Sequence, residues 1–550
     1  MRLPKTGLSR RLLMIQFHPI RKGGVGMTVS HTPTVTPVRR LQRRAAWYRY
    51  RLGSLSSRVT DPRRFAEILF RRSGHARPTR FSRSDQQWPL GIVEGAFDLP
   101  PRTPQPRIHH LISTSEIDGQ FLKSAGAAHS DWIVVTNPHD DIAPDLASLN
   151  LGLFFDADAI VMGGWWIANG RMDLSLPPRE LGEVELLNGP ATPVVFLRHA
   201  SPHLHDFRLS QNAHLGNLEA LLTLLRAGGV IRTLPGLGAR STLPTGAESA
   251  EIIQRHLALR GFESQCCEHS RVAGAVDWRL ANGQSPHVSV VIPTRNRHDL
   301  VQRVCDSITA HTEYPNYSIT VVDNSSDDPD TLKWMKHSGY AIVPHPGVFN
   351  YSAVVNTGAR ATLGELVLFL NNDVVLTDPA WLRRLVDIYL VSGGIVSMNL
   401  MFDNGTPQHE GVVISPYPNH LLHGSTMASG DRRSWLTTEV AAVSGAVSLV
   451  SRALFDELDG LDEQLAVTFN DVDFCLRARR LGYSCVCARD VQATHSEGAS
   501  RGGLNPPRDM WLFIERWGIF DRYRDPAISA QLRISGGRPY WRRAKKLRAD

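Results

Sequence analysis

Carboxylate and amide side chains follow three apolar stretches in the C-terminal half of the chain, at the points where those stretches end. They belong to the motifs VVDNSS (321–326), FLNNDV (369–374) and FNDVDFCLR (469–477), and a lone His495 follows them. Ligands of open parallel sheets bind in the crevice outside the carboxyl ends of the strands, because packing does not fill it. Such side chains can grip hydroxyl groups, bind a hard cation or accept a proton. The pattern therefore indicates an enzyme that uses a nucleotide.

Strands and helices must alternate to bring these motifs side by side. The apolar run at 288–292 predicts a buried parallel strand that stops at Pro293, and the run at 319–322 predicts the next strand. A third unit has a helix over 353–361 and a strand over 366–370. This alternation predicts a doubly wound, mostly parallel α/β sheet. A crossover helix between the first two strands is indicated by apolar residues at every fourth position: Leu300, Val304 and Ile308.

Length and composition predict a globular protein of two or more domains, with 550 residues of which 42% are apolar. The six cysteines form no paired CxxC knuckles, and Cys485-x-Cys487 has no matching pair at zinc-site spacing. This pattern favours a reducing, cytoplasmic compartment. No apolar run approaches the roughly 18–20 residues that cross a bilayer, and the run at 12–17 is too short for a signal peptide. We therefore expect a chain that neither spans a membrane nor is exported by that route.

The net charge of +8 conceals a strong partition along the chain. Residues 1–85 carry 20 basic and three acidic residues, a net +17, and residues 533–550 carry seven basic and one acidic residue, a net +6. For residues 1–40, a solvated, disordered segment is as consistent with the charge pattern as a functional one. Over 39–72, arginines alternate with aromatic and aliphatic residues, which favours an amphipathic segment on an anionic membrane. We expect peripheral attachment to the inner face of the plasma membrane and, since no nucleic-acid module surrounds these charges, no nucleic-acid partner.

Seven ordered motifs closely resemble bacterial family 2 glycosyltransferases with a GT-A fold, of the tandem rhamnosyl- and galactosyl-type enzymes of surface polysaccharides. They are VSVVIPTRN, VVDNSS, FNYSAVVNTGARATLGE, FLNNDV, AVSGAVSLVSRALFDELDGLDE, FNDVDFCLRARRLGY and HSEGASRG. The resemblance covers about residues 286–525. It implies inverting transfer of a sugar from a UDP- or dTDP-sugar to a hydroxyl of a growing, lipid-linked cell-surface polysaccharide such as O-antigen.

The resemblance also implies a nucleotide-sugar site. Asp323 suits the ribose hydroxyls or a pyrimidine edge, since a carboxylate accepts two hydrogen bonds, although a turn or helix-capping role is the alternative. Arg501 suits the diphosphate, or is a solvated surface residue. The residues expected to contact the nucleotide sugar are Pro293, Thr294, Asn296, Asp323, Asn356, Asn371, Asn372 and Arg501.

Asp373 and His495 are the metal ligands that the resemblance implies, for Mg²⁺ or Mn²⁺. The family's Asp-x-Asp motif has Asn371 at its first position here, which removes one anionic ligand. His495 follows Asp471 by 24 positions, as a metal-binding histidine does in related transferases, although a structural histidine is the alternative.

Asp471 is expected to be the general base and Asp473 a supporting group, both in the first turn of a helix whose dipole favours carboxylates. Asn470 replaces the acidic neighbour that the family carries before its base. One base and one direct attack imply inversion at the anomeric carbon.

An internal repeat predicts a second, damaged copy of the fold. Residues 117–144 and 351–379 share a pattern of helix, small-residue stop, apolar strand, acidic loop and proline. The first copy has Pro138 at its first carboxylate position and Asn217 where the second has Asp471. The expected segments are a basic, partly disordered or amphipathic head (1–85), a degenerate transferase-like α/β domain (86–245), a helix and connector (246–285), the catalytic GT-A domain (286–525) and a basic tail (526–550).

Two other functions stay open on the sequence alone. Asparagine at both Asn371 and Asn470 is consistent with an inactive glycan-binding or scaffolding protein. A sugar nucleotidyltransferase would share the α/β core, but it would need a glycine-rich phosphate loop after the first strand, where this chain has PTRN at 293–296.

Overall fold

The computed structural model describes most of the chain between residues 108 and 541, all of it within one unit, Asp61–Asp550. The expected head at 1–85 and most of the tail lie outside the described residues. No helix of the described part is both long enough and apolar enough to cross a bilayer. The gaps are at 113–116, 119–130, 144–145, 147–148, 150, 152–153, 155, 176, 200, 205–207, 210–211, 282–283, 415–417, 422, 424–434, 497–505, 520–524, 527–531 and 536–537.

The first α/β region is built on a seven-stranded sheet with the order β1-β3-β7-β5-β9-β4, and β6 pairs with β5. β3 is buried at all five residues, as expected for a strand covered on both faces. Its elements are β1 Ile108–Ile112, β2 Ile117–Asp118, β3 Trp132–Thr136, β4 Asp141–Ile142, β5 Ala159–Ala168, β6 Arg171–Ser175, α1 Glu183–Leu186, β7 Val194–Arg198, β8 Arg208–Leu209, α2 Ala213–Arg226, β9 Ile231–Thr242, α3 Gly246–Leu259, β10 Ser264–Glu268 and β11 Val276–Leu280.

The second α/β region is built on a ten-stranded sheet with the order β14-β13-β12-β15-β22-β17-β23-β16, and β18 and β21 pair with β17 and β23. Its elements are β12 Val288–Thr294, α4 His298–Ala310, β13 Tyr317–Asp323, α5 Pro329–His337, β14 Ala341–Pro344, α6 Tyr351–Arg360, β15 Leu366–Leu370, β16 Val374–Leu376, α7 Trp381–Ser392, β17 Ile395–Met401, β18 Pro407–His409, β19 Val412–Ile414, β20 Pro418–His420, β21 Thr438–Glu439, β22 Val447–Ser451, α8 Arg452–Glu457, α9 Asn470–Arg480, β23 Cys485–His495 and α10 Pro507–Trp517. Two further strands, β24 Leu532–Ser535 and β25 Arg538–Trp541, pair antiparallel within the expected tail.

The βαβ units predicted around the motifs are confirmed, with small shifts in their ends. β15 has the predicted bounds, and β12 and β15 are buried at every residue. β12 passes the predicted end at Pro293 and continues to Thr294, in parallel register with β13. The ladder with β15 has already ended at Val291, so the missing N–H of Pro293 removes no bond on that side. Thr294 thus lies opposite Asp323 at the carboxyl edge.

The second sheet is mixed rather than uniformly parallel. The ladders from β14 through β15 are parallel, but β22 runs antiparallel to both of its neighbours, β15 and β17. β17 and β23 are again parallel, and β16 runs antiparallel to β23.

The two sheets share one strand order. The path β1-β3-β7-β5-β9-β4 has the same sequence of parallel and antiparallel ladders as β12-β15-β22-β17-β23-β16, and β6 is placed on β5 as β18 is on β17. The matched strands also follow each other in the same order along the chain. Within the described residues, the first sheet has no counterpart of β13 and β14 beside β1.

The segment between the two sheets is more ordered than the polar connector expected from the sequence. After α3, which begins with a capping box between Thr245 and Glu248, β10 and β11 form an antiparallel hairpin. Its Trp278 is buried, and the guanidinium of Arg384 lies 4.4 Å from the centre of the indole ring. Polar residues such as those in Ser264–Glu268 hid the first strand of this hairpin from the sequence.

Acidic side chains lie at the contact between the two regions. The backbone N–H of Glu439 in β21 donates to the side chain of Glu185 in α1 at 3.2 Å. Burial, followed by the charge of Glu185, raises the pKa of Glu439 to about 7. A cross-region ion pair between Arg479 and Glu180, at 2.8 Å, lies in the same cluster.

Candidate active site

The expected nucleotide edge is formed by the loops after β12 and β13. Asp323 Oδ1 accepts the N–H of Ser326 at 2.9 Å, so part of this carboxylate orders its own turn. The amide of Asn296 is used within the protein: it donates to Asp327 Oδ1 at 2.8 Å and accepts the N–H groups of Asp327 and Asp328. Asn296 therefore fixes the two loops against each other. Its positive φ of 56° and that of Arg297, 55°, are unusual for residues other than glycine and mark a constrained loop.

The polar loop after β15 meets the same edge. Asn372 Nδ2 donates to Thr294 Oγ1 at 3.1 Å, which ties the second motif to the end of β12. The N–H of Asn371 donates to Ala446 O at 2.9 Å, but its side-chain Oδ1 is buried with no hydrogen-bond partner. Asp373 is 3% exposed and immediately precedes β16. The loop thus carries buried oxygen atoms that the protein itself leaves without a donor.

Asp373 and His495 come together, as the sequence predicted for a metal site. The first residue of β16, Val374, pairs with His495 at the end of β23, and His495 Nε2 lies 3.1 Å from Asp373 Oδ1. Neither of these two buried atoms makes a hydrogen bond. The other ring nitrogen, Nδ1, is 2.5 Å from Gln408 Oε1. The sequence analysis did not single out Gln408.

These residues fit a hard divalent cation. Gln408 Nε2 donates to the backbone oxygen of His495 at 3.1 Å, so its Oε1 faces Nδ1, and Nδ1 carries the hydrogen. In the neutral ring, Nε2 then presents a lone pair to a carboxylate oxygen, and two such atoms repel unless a cation or a proton lies between them. Asp373 and His495 supply one oxygen and one nitrogen of the kind that Mn²⁺ or Mg²⁺ accepts, and among the described residues no third Asp, Glu, His or Cys joins them.

Asp471 is the second residue of α9, and its carboxylate is held by backbone donors. Gly445 N–H donates to Asp471 Oδ2 at 2.9 Å, and Val472 N–H donates to Oδ1 at 2.8 Å. The hydroxyl of Tyr351 donates to Gly445 O at 2.8 Å and so fixes the same turn. These two backbone donors fix the orientation of the carboxylate, and a base for a hydroxyl must be oriented in this way.

Asp473 lies on the other side of α9 and is fully buried. Its Oδ2 accepts Arg477 Nε at 2.9 Å, and its Oδ1 accepts Arg516 Nη1 at 2.8 Å and Trp517 Nε1 at 2.9 Å. The bonds from Arg516 and Trp517 clamp α9 to α10, and the bond from Arg477 lies within α9. These contacts fit the supporting role expected of Asp473, which holds α9 and with it Asp471, and its part in catalysis stays a prediction.

Asn356 is placed differently from its expected nucleotide role. Its Nδ2 donates to Leu461 O and Glu463 Oε1, and its Oδ1 accepts the N–H of Leu461 at 2.9 Å. Both amide hydrogens are used, and the residue is 1% exposed, so it fixes α6 to the turn after α8. Arg501 lies outside the described residues and stays a prediction.

The equivalent edge of the first sheet contains a different set of residues. Asp140 precedes β4 as Asp373 precedes β16, and Arg240 has the place of His495, since it pairs with the first residue of β4. His214 is the second residue of α2, as Asp471 is of α9, whereas Asn217, expected at the place of Asp471, lies three residues further along and donates to Val135 O at 3.3 Å. His214 Nε2 contacts Asp140 at 3.2 Å and packs edge-on against Trp166.

This arrangement fills the first edge with protein groups. The side chains of His214 and Asp140 are 0% and 3% exposed, and Arg240 donates to Asp141 at 3.2 Å. Arg240 thus stands at the place that His495 has in the second sheet, and His214 and Asp140 form a buried pair beside it. Asn212 caps the start of α2.

Two residues of β18, Gln408 and His409, were missed altogether. His409 is fully buried, its Nε2 accepts the N–H of Ser444 at 3.3 Å, and its Nδ1 is 2.8 Å from His420 Nδ1. Burial, reinforced by His420 and Arg489, lowers the pKa of His409 well below its ordinary range, so the ring is neutral. The signal in the sequence was a Gln-His pair followed by further histidines at 420 and 423, outside the recognised motifs.

A mixed sheet with an Asn-Asn-Asp loop and the helix of Asp471 at one edge has the GT-A architecture. Residues 289–459 match the model of the glycosyl transferase family 2. The O-antigen biosynthesis protein RfbC of Myxococcus xanthus is 31% identical over 324 residues, which is 56% of this chain and 25% of that protein.

Two further comparisons add detail. The uncharacterized protein y4gI of Sinorhizobium fredii is 33% identical over 268 residues, 46% of this chain and 29% of that protein, so the chain spans less than a third of both relatives. The mannosyltransferase PcManGT of Pyrobaculum calidifontis, solved in complex with GDP-Man and Mn²⁺, aligns over 45% of this chain and 68% of that one, with 18% identity and a TM-score of 0.32. A likeness at this TM-score supports no conclusion about this chain.

Proposed function

We propose that this chain is an inverting glycosyltransferase that moves a sugar from a UDP- or dTDP-sugar to a hydroxyl of a growing surface polysaccharide. The observation that carries the proposal is the buried pair Asp373 and His495 at 3.1 Å, with both facing atoms unpartnered, at the same sheet edge as the loop of Asp323. The family 2 match over residues 289–459 supports the reaction class.

Each expected contact has a side chain suited to it. Asp323, opposite Thr294 across the β12–β13 ladder, receives ribose hydroxyls or the base edge with the oxygen that its own turn does not use. Asp373 and His495 would hold a divalent ion, which would supply positive charge for the diphosphate. Asp471 takes the proton of the attacking hydroxyl, while Gly445 N–H fixes its Oδ2 and aims the carboxylate. A single base and no covalent intermediate give inversion.

The acceptor and the location of the enzyme are proposed more broadly. The name of the RfbC relative, an O-antigen biosynthesis protein, supports a surface polysaccharide as the product, and we expect its acceptor to be lipid-linked. The basic termini, +17 over residues 1–85 and +6 over 533–550, suit the anionic inner face of the plasma membrane. The first α/β region, whose sheet edge is filled by protein groups, would pack against the catalytic region without transferring sugar.

The test is a panel of nucleotide sugars with Mg²⁺ or Mn²⁺, with release of UDP or dTDP as the signal. We expect one donor to give metal-dependent release with a suitable acceptor, and Asp471→Asn to lower kcat by about 10²–10⁴-fold, the usual contribution of a general base. Glu463→Gln, an exposed carboxylate in the same region, is the control and should leave kcat unchanged. Release that is equal in wild type and Asp471→Asn would remove Asp471 as the base.

An inactive, glycan-binding protein is the second candidate, and one observation favours it. Asn470 is buried at the start of α9, and its Nδ2 has no hydrogen-bond partner in the place where the family carries an acid. Metal-dependent turnover of any donor by the purified chain would exclude this candidate. The nucleotidyltransferase alternative gains nothing from the loop at 294–297, which contains no glycine.

A further inference from the structure

An extra residue in β18 directs two consecutive side chains to two parts of the site. Leu400 of β17 opposes His409, and Met401 opposes Pro407, so Gln408 has no residue across from it. Such a bulge re-aims side chains and is frequent beside active sites. Here Gln408 contacts His495, which lies beside Asp373. The next residue, His409, contacts the turn at 444–446, and that turn contacts Asp471.

Gln408 determines which nitrogen of His495 carries the hydrogen. Its Nε2 donates to the backbone oxygen of His495 at 3.1 Å, and this bond orients the amide. The amide oxygen then lies 2.5 Å from Nδ1 and can only accept. In the neutral ring, Nε2 then has its lone pair towards Asp373, the tautomer that a metal requires.

His409 supports the base in a separate way. Its Nε2 accepts the N–H of Ser444, so its Nδ1 carries the hydrogen and donates to His420 Nδ1 at 2.8 Å. The next N–H along, that of Gly445, donates to Asp471 Oδ2. His409 thus anchors the peptide whose neighbour aims the proposed base.

We propose that Gln408 and His409 are positioning residues with separate tasks. Gln408 presents the lone pair of His495 to the divalent cation, and His409 holds the 444–446 turn against Asp471. This inference rests on the proposed function, but its tests read metal binding and amide exchange, which do not require turnover.

The first test is Mn²⁺ binding to the full chain with UDP present, measured from the free-ion signal in electron paramagnetic resonance. Gln408→Leu should weaken Mn²⁺ binding by about 10–100-fold, the usual loss when the partner of a metal-binding histidine is removed. Gln408→Glu keeps the acceptor for Nδ1 and should recover most of the affinity. Gln464→Leu, at an exposed glutamine, is the matched control and should bind as wild type does.

Failure of the proposed metal site and failure of the role of Gln408 give different results. Wild type that binds no Mn²⁺ with UDP would overturn both the proposed metal site and the role of Gln408. Wild type that binds, with Gln408→Leu binding equally well, would overturn the role of Gln408 alone and leave the proposed function intact.

The second test is hydrogen exchange of the peptide that contains residues 444–446, with mass-spectrometric detection. His409→Leu should speed exchange there, because the Ser444 amide loses its acceptor, and should leave Mn²⁺ affinity within twofold of wild type. His409→Gln places an oxygen near the position of Nε2 and should restore protection. With a working donor, His409→Leu should lower kcat about tenfold and leave the donor KM unchanged. Unchanged exchange, or a loss of Mn²⁺ affinity as large as that of Gln408→Leu, would overturn the separation of tasks.

Discussion

Replacing Asp473 with asparagine is the most direct way to separate the scaffold of this site from its chemistry. The carboxylate is 0% exposed and receives three bonds, from Arg477, Arg516 and Trp517. Asparagine has the same shape, so no cavity forms. It lacks the charge, however. Its amide nitrogen also replaces one of the two carboxylate oxygens, so that the N–H groups of the amide face the N–H groups of an arginine.

The loss in the free energy of unfolding depends on which partners each arginine keeps. Removing one partner of a buried ion pair costs about 3–5 kcal/mol, since the other charge is left uncompensated. Arg477 retains the carbonyl oxygens of Leu458 and Gly460, and Arg516 retains its ion pair with Asp462. The loss should therefore fall at the low end of the range, about 3 kcal/mol, which is a large part of the usual stability of a domain.

Urea unfolding followed by circular dichroism and tryptophan fluorescence measures this loss. The matched control is Asp459→Asn, the same chemical change at a carboxylate that is 95% exposed and paired only with Arg360 on the surface, and its transition should coincide with that of wild type. Below its unfolding transition, Asp473→Asn should keep much of the wild-type kcat, whereas Asp471→Asn should lose kcat and keep stability. An Asp473→Asn protein that is as stable as wild type but inactive would refute the reasoning and return Asp473 to the catalytic group.

Three further outcomes are expected. The pKa of Glu439, about 7 in the folded chain against an ordinary 4.5, means that the folded state retains a proton that the unfolded state releases, so stability should fall as pH rises from about 4.5 to 7 and level off above. Glu439→Gln should abolish that slope in urea titrations at pH 5, 6 and 7.5. Gly358→Ala should destabilise by about 1–3 kcal/mol in the same assay, because a Cβ there would lie 2.4 Å from Val322 Cγ2. Asp323→Ala should weaken UDP binding at least tenfold by calorimetry and lower the free energy of unfolding by about 1 kcal/mol, because the turn at Ser326 loses its acceptor. Unchanged binding would place the nucleotide elsewhere.

The sequence predicted the parts of this site that depend on local pattern. Strand ends followed by polar residues placed Thr294, Asp323 and Asp373 at one edge, because apolar runs of this length form buried strands and parallel strands share their carboxyl side. The spacing from Asp471 pointed to His495, which lies beside Asp373 because β23 is one long strand that ends on β16. Its role as a metal ligand stays a prediction.

The remainder depends on side chains that are distant in the sequence and carry no local signal. Gln408 lies 87 positions before the histidine that it orients, and its bulge depends on the register of β17 and β18. Asn356 and Asp473 carry residue types suited to binding and catalysis, and only their buried partners reveal that they hold helices in place. The choice between a ligand and a scaffold role for a polar side chain is made by tertiary contacts.

The position of β22 has a consequence for how the chain folds as it is synthesised. β22 lies between β15 and β17 in the sheet, but it follows both of them along the chain, and β7 has the same relation to β3 and β5. The centre of the second sheet therefore cannot close until β22 has left the ribosome, and that of the first sheet cannot close until β7 has done so. Until then the edges of the earlier apolar strands stay unpaired. Pairing them has an entropic cost that grows with the length of the intervening loop. We expect fragments that stop before residue 447 to aggregate, and fragments that extend past residue 495 to be the first in which the second sheet is stable.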